Sequence, residues 1–254
     1  MKAARLILFF GLILGWAVAA QADQRDVLFA QGNAAFQSGK FAAAESEYRK
    51  LIQAGKVSED VFFNLGNAIF RQNRPGEAAL WFQRARVFDP RMTEANQNLT
   101  FLQKTHGYLE IERKPLDAFL FNRKPTELTI YAWIGAWVFL LSLAAMIIIR
   151  KLRDWRPLLI IISLFGLSLA IAAIWAGSRR SDTLAIEKFA VVKGGNVSAL
   201  TAPAPGAEAV IALPPGSEVR ILQDRGPWKY VDIPGELRGW VDSKSVAAIW
   251  PLEQ

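Results

Sequence analysis

Three apolar blocks interrupt an otherwise soluble pattern of hydrophobic and polar positions: Leu6–Ala20, Leu128–Ile149 and Leu158–Ala176. The first follows Lys2 and Arg5 and runs into Ala20-Gln21-Ala22. A positive start, a short apolar run and a small-x-small site mark an export signal. A signal peptide is expected over 1–22, cut before Asp23; an uncleaved anchor is the alternative, and both put residue 23 onward outside the cytoplasm. The block 128–149 has 22 residues and no Asp, Glu, Lys or Arg. As a helix it measures about 33 Å, enough for a bilayer core. A second span is expected over 158–177. The connection 150–157 carries Arg150, Lys151, Arg153 and Arg156, which the positive-inside rule assigns to the cytoplasm. Tyr131, Trp133, Trp137 and Trp175 then fall on the opposite, outer side as interfacial anchors. Neither span holds an ionisable side chain, which argues for an anchor and against an ion, proton or substrate path. Gly166, Ser163 and Ser168 are expected to pack against Ser142 and Ala144, or against another subunit.

Between the first two blocks the pattern repeats. Gly32-Asn33 recurs as Gly66-Asn67, 34 residues on, and Phe36/Phe70, Ala44/Ala78 and Tyr48/Phe82 keep the same offset. That period belongs to tetratricopeptide repeats, paired helices that stack because one pair cannot bury its own apolar face. Gly32, Ala44, Gly66 and Ala78 let the helices approach, while the aromatic residues fill the space between them. Gly39 and Asn73 suit the left-handed backbone of a tight turn. Residues 93–104, with Ala95, Leu99 and Leu102 at helical spacing, are expected to cap the stack. The repeat domain is assigned to 23–105. Its first helices would line a concave groove with Phe29, Asn33, Phe36 and Gln37, then Phe63, Asn67, Phe70 and Arg71. Matching asparagines beside an arginine can hold the backbone or carboxylate of an extended peptide. The alternative for each residue is local capping or core packing.

Residues 106–127 contain Pro115 and Pro125 and are assigned to a linker, with an amphipathic helix over 116–121 as the alternative. From 178 to 254 the pattern turns to short β-rich runs. Strands are expected over 189–192, 208–213, 218–223, 228–232 and 239–241, separated by Gly- and Pro-rich turns. The segments Asn196–Leu200, Pro215–Val219, Gly226–Val231 and Gly239-Trp240-Val241 resemble a bacterial SH3-like domain, a small all-β barrel. Trp228 and Trp240 are expected to pack its interior.

Composition narrows the chemistry. There is no cysteine and a single histidine, His106, which excludes disulfides, thiolate catalysis and Cys- or His-rich metal sites. No nucleophile–base or paired-carboxylate arrangement stands out, so no enzyme and no cofactor is expected. The net charge of +7 is partly spent on the loop at 150–157, and no basic aromatic platform points to nucleic acid.

The fold expected is therefore a multidomain membrane protein: an all-α tetratricopeptide-repeat solenoid, a two-helix transmembrane hairpin and an all-β SH3-like barrel. That order, with Phe63-Asn64-Leu65-Gly66-Asn67, Asp89-Pro90 and Ala95, Asn98 and Leu99, resembles the BatE family of aerotolerance-operon proteins. The resemblance implies a bacterial inner (plasma) membrane location with both soluble domains periplasmic. It also implies work beside membrane proteins with von Willebrand A domains and a BatD-like protein. A cytoplasmic MoxR-type ATPase could be reached only indirectly. A protein–protein adaptor follows; a cell-wall (peptidoglycan)-binding module led by the SH3-like domain is the alternative.

Overall fold

The computed structural model describes residues 25–149, 154–186, 188–250 and 252, without the side chains of 181–186. The expected signal peptide and Arg150, Lys151 and Arg153 lie outside these residues.

Five helices open the chain: α1 over 25–37, α2 Phe41–Gln53, α3 Glu59–Phe70, α4 Pro75–Phe88 and α5 Thr93–His106. Ser58 caps α3 by accepting from Val61 N, and Pro75 opens α4, both ordinary helix-start chemistry. The 34-residue offset governs the packing. A Cβ on Gly32 would lie 2.6 Å from the Tyr48 ring, and one on Gly66 2.6 Å from the Phe82 ring. Gly39 and Asn73 turn the two hairpins at φ +72° and +60°, as their spacing predicts.

The helix α4 is buried on nearly every side, at Gly76 and then from Ala78 through Ala85 without a break. A helix buried all round needs partners on two faces. One face meets α3. The other meets the β-sheet at the far end of the chain: a Cβ on Gly76 would sit 2.4 Å from the Lys193 carbonyl oxygen.

Seven strands, β1 Phe189–Val192, β2 Val197–Leu200, β3 Ala209–Leu213, β4 Glu218–Arg225, β5 Trp228–Ile233, β6 Leu237–Asp242 and β7 Val246–Ala248, form one antiparallel sheet. Their order is β3-β2-β6-β5-β4-β1-β7. Among the described residues no ladder joins β3 to β7, so the sheet is open by its hydrogen bonds. Strand side chains alternate between faces, and β1 is buried on both. Ala190 and Val192 join Ala199, Val219, Val231 and Val241 inside the sheet. Phe189 and Val191 join Ala247, Ile249 and the repeat residues Leu65, Phe82 and Leu99 in a second core. The repeats and the sheet therefore share one hydrophobic core. Trp228 and Trp240 are outside both clusters, half-buried on the other face of β5 and β6, where Tyr230 stacks 5.0 Å from Trp240. The expectation that these tryptophans fill the sheet's interior is corrected: Val231, Gly239 and Val241 point inward, so the alternation turns Trp240 and Tyr230 out.

The segment 106–127 is built into this body. Glu218 N donates 2.7 Å to the Leu109 carbonyl, and Leu109 N donates to Ser217 Oγ. A short helix follows, α6 Pro115–Phe121, with Leu120 and Phe121 buried and Leu116 and Phe119 exposed.

Two long apolar helices, α7 Pro125–Ile148 and α8 Arg156–Ile186, pack antiparallel. By length and composition Pro125–Ile148 and Arg156–Arg180 could cross a membrane. Trp133, Ile134, Leu141, Phe165 and Ile174 face outward, uncovered by the rest of the chain. The crossing is close: a Cβ on Gly135 would sit 2.6 Å from Gly166 O, and one on Gly166 2.7 Å from Phe139 N. Ser142 and Ser163 are buried near it, whereas Ser168 is exposed.

Candidate partner groove

Helices α1, α3 and α5 are joined by asparagines. Asn33 Oδ1 accepts from the Tyr48 hydroxyl at 2.7 Å and from Asn64 Nδ2 at 3.3 Å. One repeat on, Asn67 Oδ1 accepts from Asn98 Nδ2 at 2.9 Å. Burial pushes the Tyr48 phenol up to about 12, so it stays a donor. The carbonyls of both groove asparagines are thus engaged inside the fold. Among the described residues their own Nδ2 groups donate to nothing, which leaves amide donors 34 residues apart on the repeat.

The phenylalanines divide by depth. Phe29 and Phe63 are half-buried against Tyr48 and Phe82, at 6.1 and 5.7 Å between rings. Each packs against an aromatic ring on the second helix of its own hairpin. Phe36 meets Phe41 edge-on at 5.3 Å, and Arg71 lies 4.6 Å over the same Phe41 ring. Phe70 meets Phe101 edge-on at 6.0 Å, and Phe101 is 53% exposed. Gln37 and Arg71 are exposed. The structure thus brings Phe36 and Arg71 together over Phe41, while Asn33, Asn67 and Phe70 each meet a different neighbour on the next first helix.

Four residues belong here that the sequence does not place in the groove: Phe41, Asn64, Asn98 and Phe101. Asn64 and Asn98 are themselves 34 apart, so the repeat offset could have found them. At the far end of the stack, Asn96, Gln97, Thr100, Phe101 and Lys104 line an open depression of about 470 Å³. Thr100 stands where Gly66 stands one repeat earlier, the side that would receive a second helix. Among the described residues no second helix lines it; the chain leaves for the sheet at Gly107, φ +66°.

A charged network braces the hairpins. Glu45 accepts from Arg49, Gln72 and Arg74, and Glu77 from Arg49 and Arg74. Burial pushes the Glu45 carboxyl up, but those hydrogen bonds and the two guanidinium charges outweigh it and hold it below 4.5. A second polar knot joins repeats to sheet. Glu218, wholly buried, accepts from Gln83 Nε2 at 2.7 Å and faces Ile111 N and Arg113. Desolvation raises its carboxyl above 4.5 although Arg113 opposes the shift. Arg84, stacked 4.4 Å over Trp81, donates to the Ala248 and Ile249 carbonyls.

Among the described residues no group of acidic and histidine side chains could hold a metal ion. No curated protein matches the chain. A family model described as tetratricopeptide repeat matches residues 14–93, so the helical region is similar to a fold that binds other proteins and carries no catalytic chemistry of its own.

Proposed function

We propose that this protein is a membrane-anchored adaptor whose repeat groove holds a segment of another envelope protein. One observation carries the reading: on α1 and α3 the polar groups left over by the fold recur with the repeat. These are the Asn33 and Asn67 amides, with Gln37 and Arg71 exposed beside them. Regularly spaced amide donors next to a guanidinium match the carbonyls of an extended or helical segment. The hairpin of α7 and α8 anchors the complex in the inner membrane, with repeats and sheet on the periplasmic side.

The sheet is read as an SH3-like barrel. The succession β4-β5-β6, the 3₁₀ turn Ser243–Ser245 and the return of β7 to β1 support that reading. The domain boundaries at 23–105, 106–127, 128–149, 150–157, 158–177 and 178–254 belong to the same proposal. So do the BatE-like context and its partners: proteins with von Willebrand A domains and a BatD-like protein, with a MoxR-type ATPase reached only indirectly.

Crosslinking tests the groove. A photoreactive residue at Gln37, Asn67 or Arg71 of the full chain should capture the same protein in cells, while one at exposed Arg225 should not. Capture of nothing from the three groove positions refutes the adaptor. Topology is checked by a periplasm-only reporter, active after Gln254 and silent at Asp154.

A second reading is favoured by the outward aromatic face of β5 and β6. Tyr230 and Trp240, with Arg225 5.9 Å above the Trp240 ring, could stack on a cell-wall glycan. Full-length protein that sediments with peptidoglycan, and no longer does so as Trp240→Ala, would favour it over the adaptor.

A further inference from the structure

The long helices part toward the end that carries the soluble body. A crevice of about 340 Å³ opens there between α7 and α8, lined by Leu128, Ala132, Ala173, Ile174 and Gly177 and reaching Arg180. Its walls are mostly apolar, with hydroxyls from Thr129 and Ser178, and its width comes from small residues. Its end is not apolar. Arg180 is 6% exposed, its Nη2 donates 2.8 Å to the Val87 carbonyl, and its Nε–H has no acceptor among the described residues. A buried donor without an acceptor is costly, and a buried guanidinium without a counter-charge more so. The carboxylates at this end have other partners: Asp89 takes Lys124, Asp117 takes Arg179, and Glu127 takes Arg91 through Oε1, its buried Oε2 left without a partner. Among the described residues no carboxylate pairs with Arg180.

We infer that this crevice binds one anionic phospholipid of the leaflet facing the soluble body, its phosphate on Arg180 and the start of an acyl chain between α7 and α8. The inference rests on the reading that these helices cross a bilayer. Arginine suits phosphate because its planar fork donates two N–H groups at once and keeps its charge when desolvated. The depth also fits. Arg180 lies three residues beyond Gly177, at the end of the apolar stretch, where headgroups meet protein. The crevice takes a glycerol phosphate and the first carbons of a chain, and the remainder lies along exposed Ile174 and Ile130. A choline headgroup brings its own cation to a place where one positive charge is already unbalanced, so a headgroup of net negative charge is preferred.

The test uses the full chain in lipid nanodiscs of phosphatidylcholine with 20% phosphatidylglycerol (about one lipid in five, enough to saturate one site), followed by delipidation and native mass spectrometry. Wild type is expected to retain one phosphatidylglycerol, favoured about tenfold over phosphatidylcholine after correction for the bilayer ratio, the effect of one unbalanced charge. Arg180→Gln should lose the enrichment. Ala132→Phe fills the crevice but leaves the Arg180–Val87 bond, and should lose the lipid too; this separates binding from the bracing role of Arg180. Unchanged retention in both variants overturns the site. So does equal thermal protection of delipidated protein by inorganic phosphate, which would make the anion and not the lipid the ligand. A chain that alkaline carbonate strips from membranes refutes the spanning helices and the site together. A chain that stays embedded yet retains no phosphatidylglycerol refutes the site alone.

Discussion

Cutting the contact between Gln83 and Glu218 should loosen the repeats from the sheet. Both side chains are buried, 1% and 0% exposed, and the bond between them is 2.7 Å. Glu218→Ala strands Gln83 Nε2, Ile111 N and the Arg113 guanidinium in a dry place, a loss of about 3–5 kcal/mol. Glu218→Gln keeps an acceptor for Gln83 and removes the attraction to Arg113, a loss of about 1–2 kcal/mol. Replacing both partners, Gln83→Met with Glu218→Met, removes the stranded amide but still leaves Ile111 N and Arg113 without Glu218, so it should recover only part of the loss, a coupling of about 1–3 kcal/mol. The pH dependence has a definite sign. Desolvation raises the folded-state carboxyl above 4.5, so its protonated form is favoured by folding. That contribution is full below the unfolded value and is lost as pH rises through the folded one. Wild type should therefore lose stability relative to Glu218→Gln as pH rises above 4.5. Thermal unfolding of the full chain in detergent, followed by fluorescence of Trp81 and Trp250, reads each difference. Additive single changes, or a wild-type-to-Gln difference that is flat with pH, would refute the knot as a junction.

Three further outcomes are expected. Gly66→Ala drives a methyl to 2.6 Å from a Phe82 ring that is 1% exposed; overpacking of about 1–3 kcal/mol should exceed the helix gain of about 1 kcal/mol, while Gly195→Ala, which meets nothing, should leave the melting temperature unchanged. Glu45, held below 4.5 by Arg49, Gln72 and Arg74, contributes stability that is present above the unfolded value and lost as pH falls through the folded one, so Glu45→Gln should flatten the acid limb of a pH–stability titration. Arg71→Glu removes a cation–π contact worth less than about 1 kcal/mol, yet it should abolish capture from a crosslinker at Asn67, read as band loss with circular dichroism unchanged.

Local and periodic features were legible in the chain. The small-to-aromatic pairs Gly32/Tyr48 and Gly66/Phe82 announce themselves by a fixed offset, and the structure seats each glycine against its ring. Five strands show in runs of β-formers between turns. Strands β2 and β7 do not, because Val197–Leu200 and Val246–Ala248 are short and carry small residues; pairing with β3 and β6 defines the first, and pairing with β1 the second. The shared core was hidden for a different reason. Phe189-Ala190-Val191-Val192 reads the same whether it faces one core or two, and its second partner, α4, lies more than 100 residues away. The polar clue was present but mute: Gln83, Arg84 and Glu218 sit among apolar neighbours, and only their meeting in space explains them. Trp228 and Trp240 misled through size, since hydrophobicity suggested interior and strand alternation decided otherwise. In the groove, residue types pointed to a surface, but sequence could not tell which side of each asparagine the fold consumes.

The helix α8 runs without interruption from the apolar stretch to Ile186, and Arg180 bonds it to Val87 near the last turn of α4. For a chain anchored by this hairpin, the groove is mounted on a mast rather than flown from a tether. Its height above the lipid surface and the direction it faces are fixed together. A flexible leash would sweep the groove through a hemisphere and dilute it over that volume. A mast concentrates it in a shell a few ångströms deep. Partners in the same membrane are then sorted by the length of their stalks before any side chain is read.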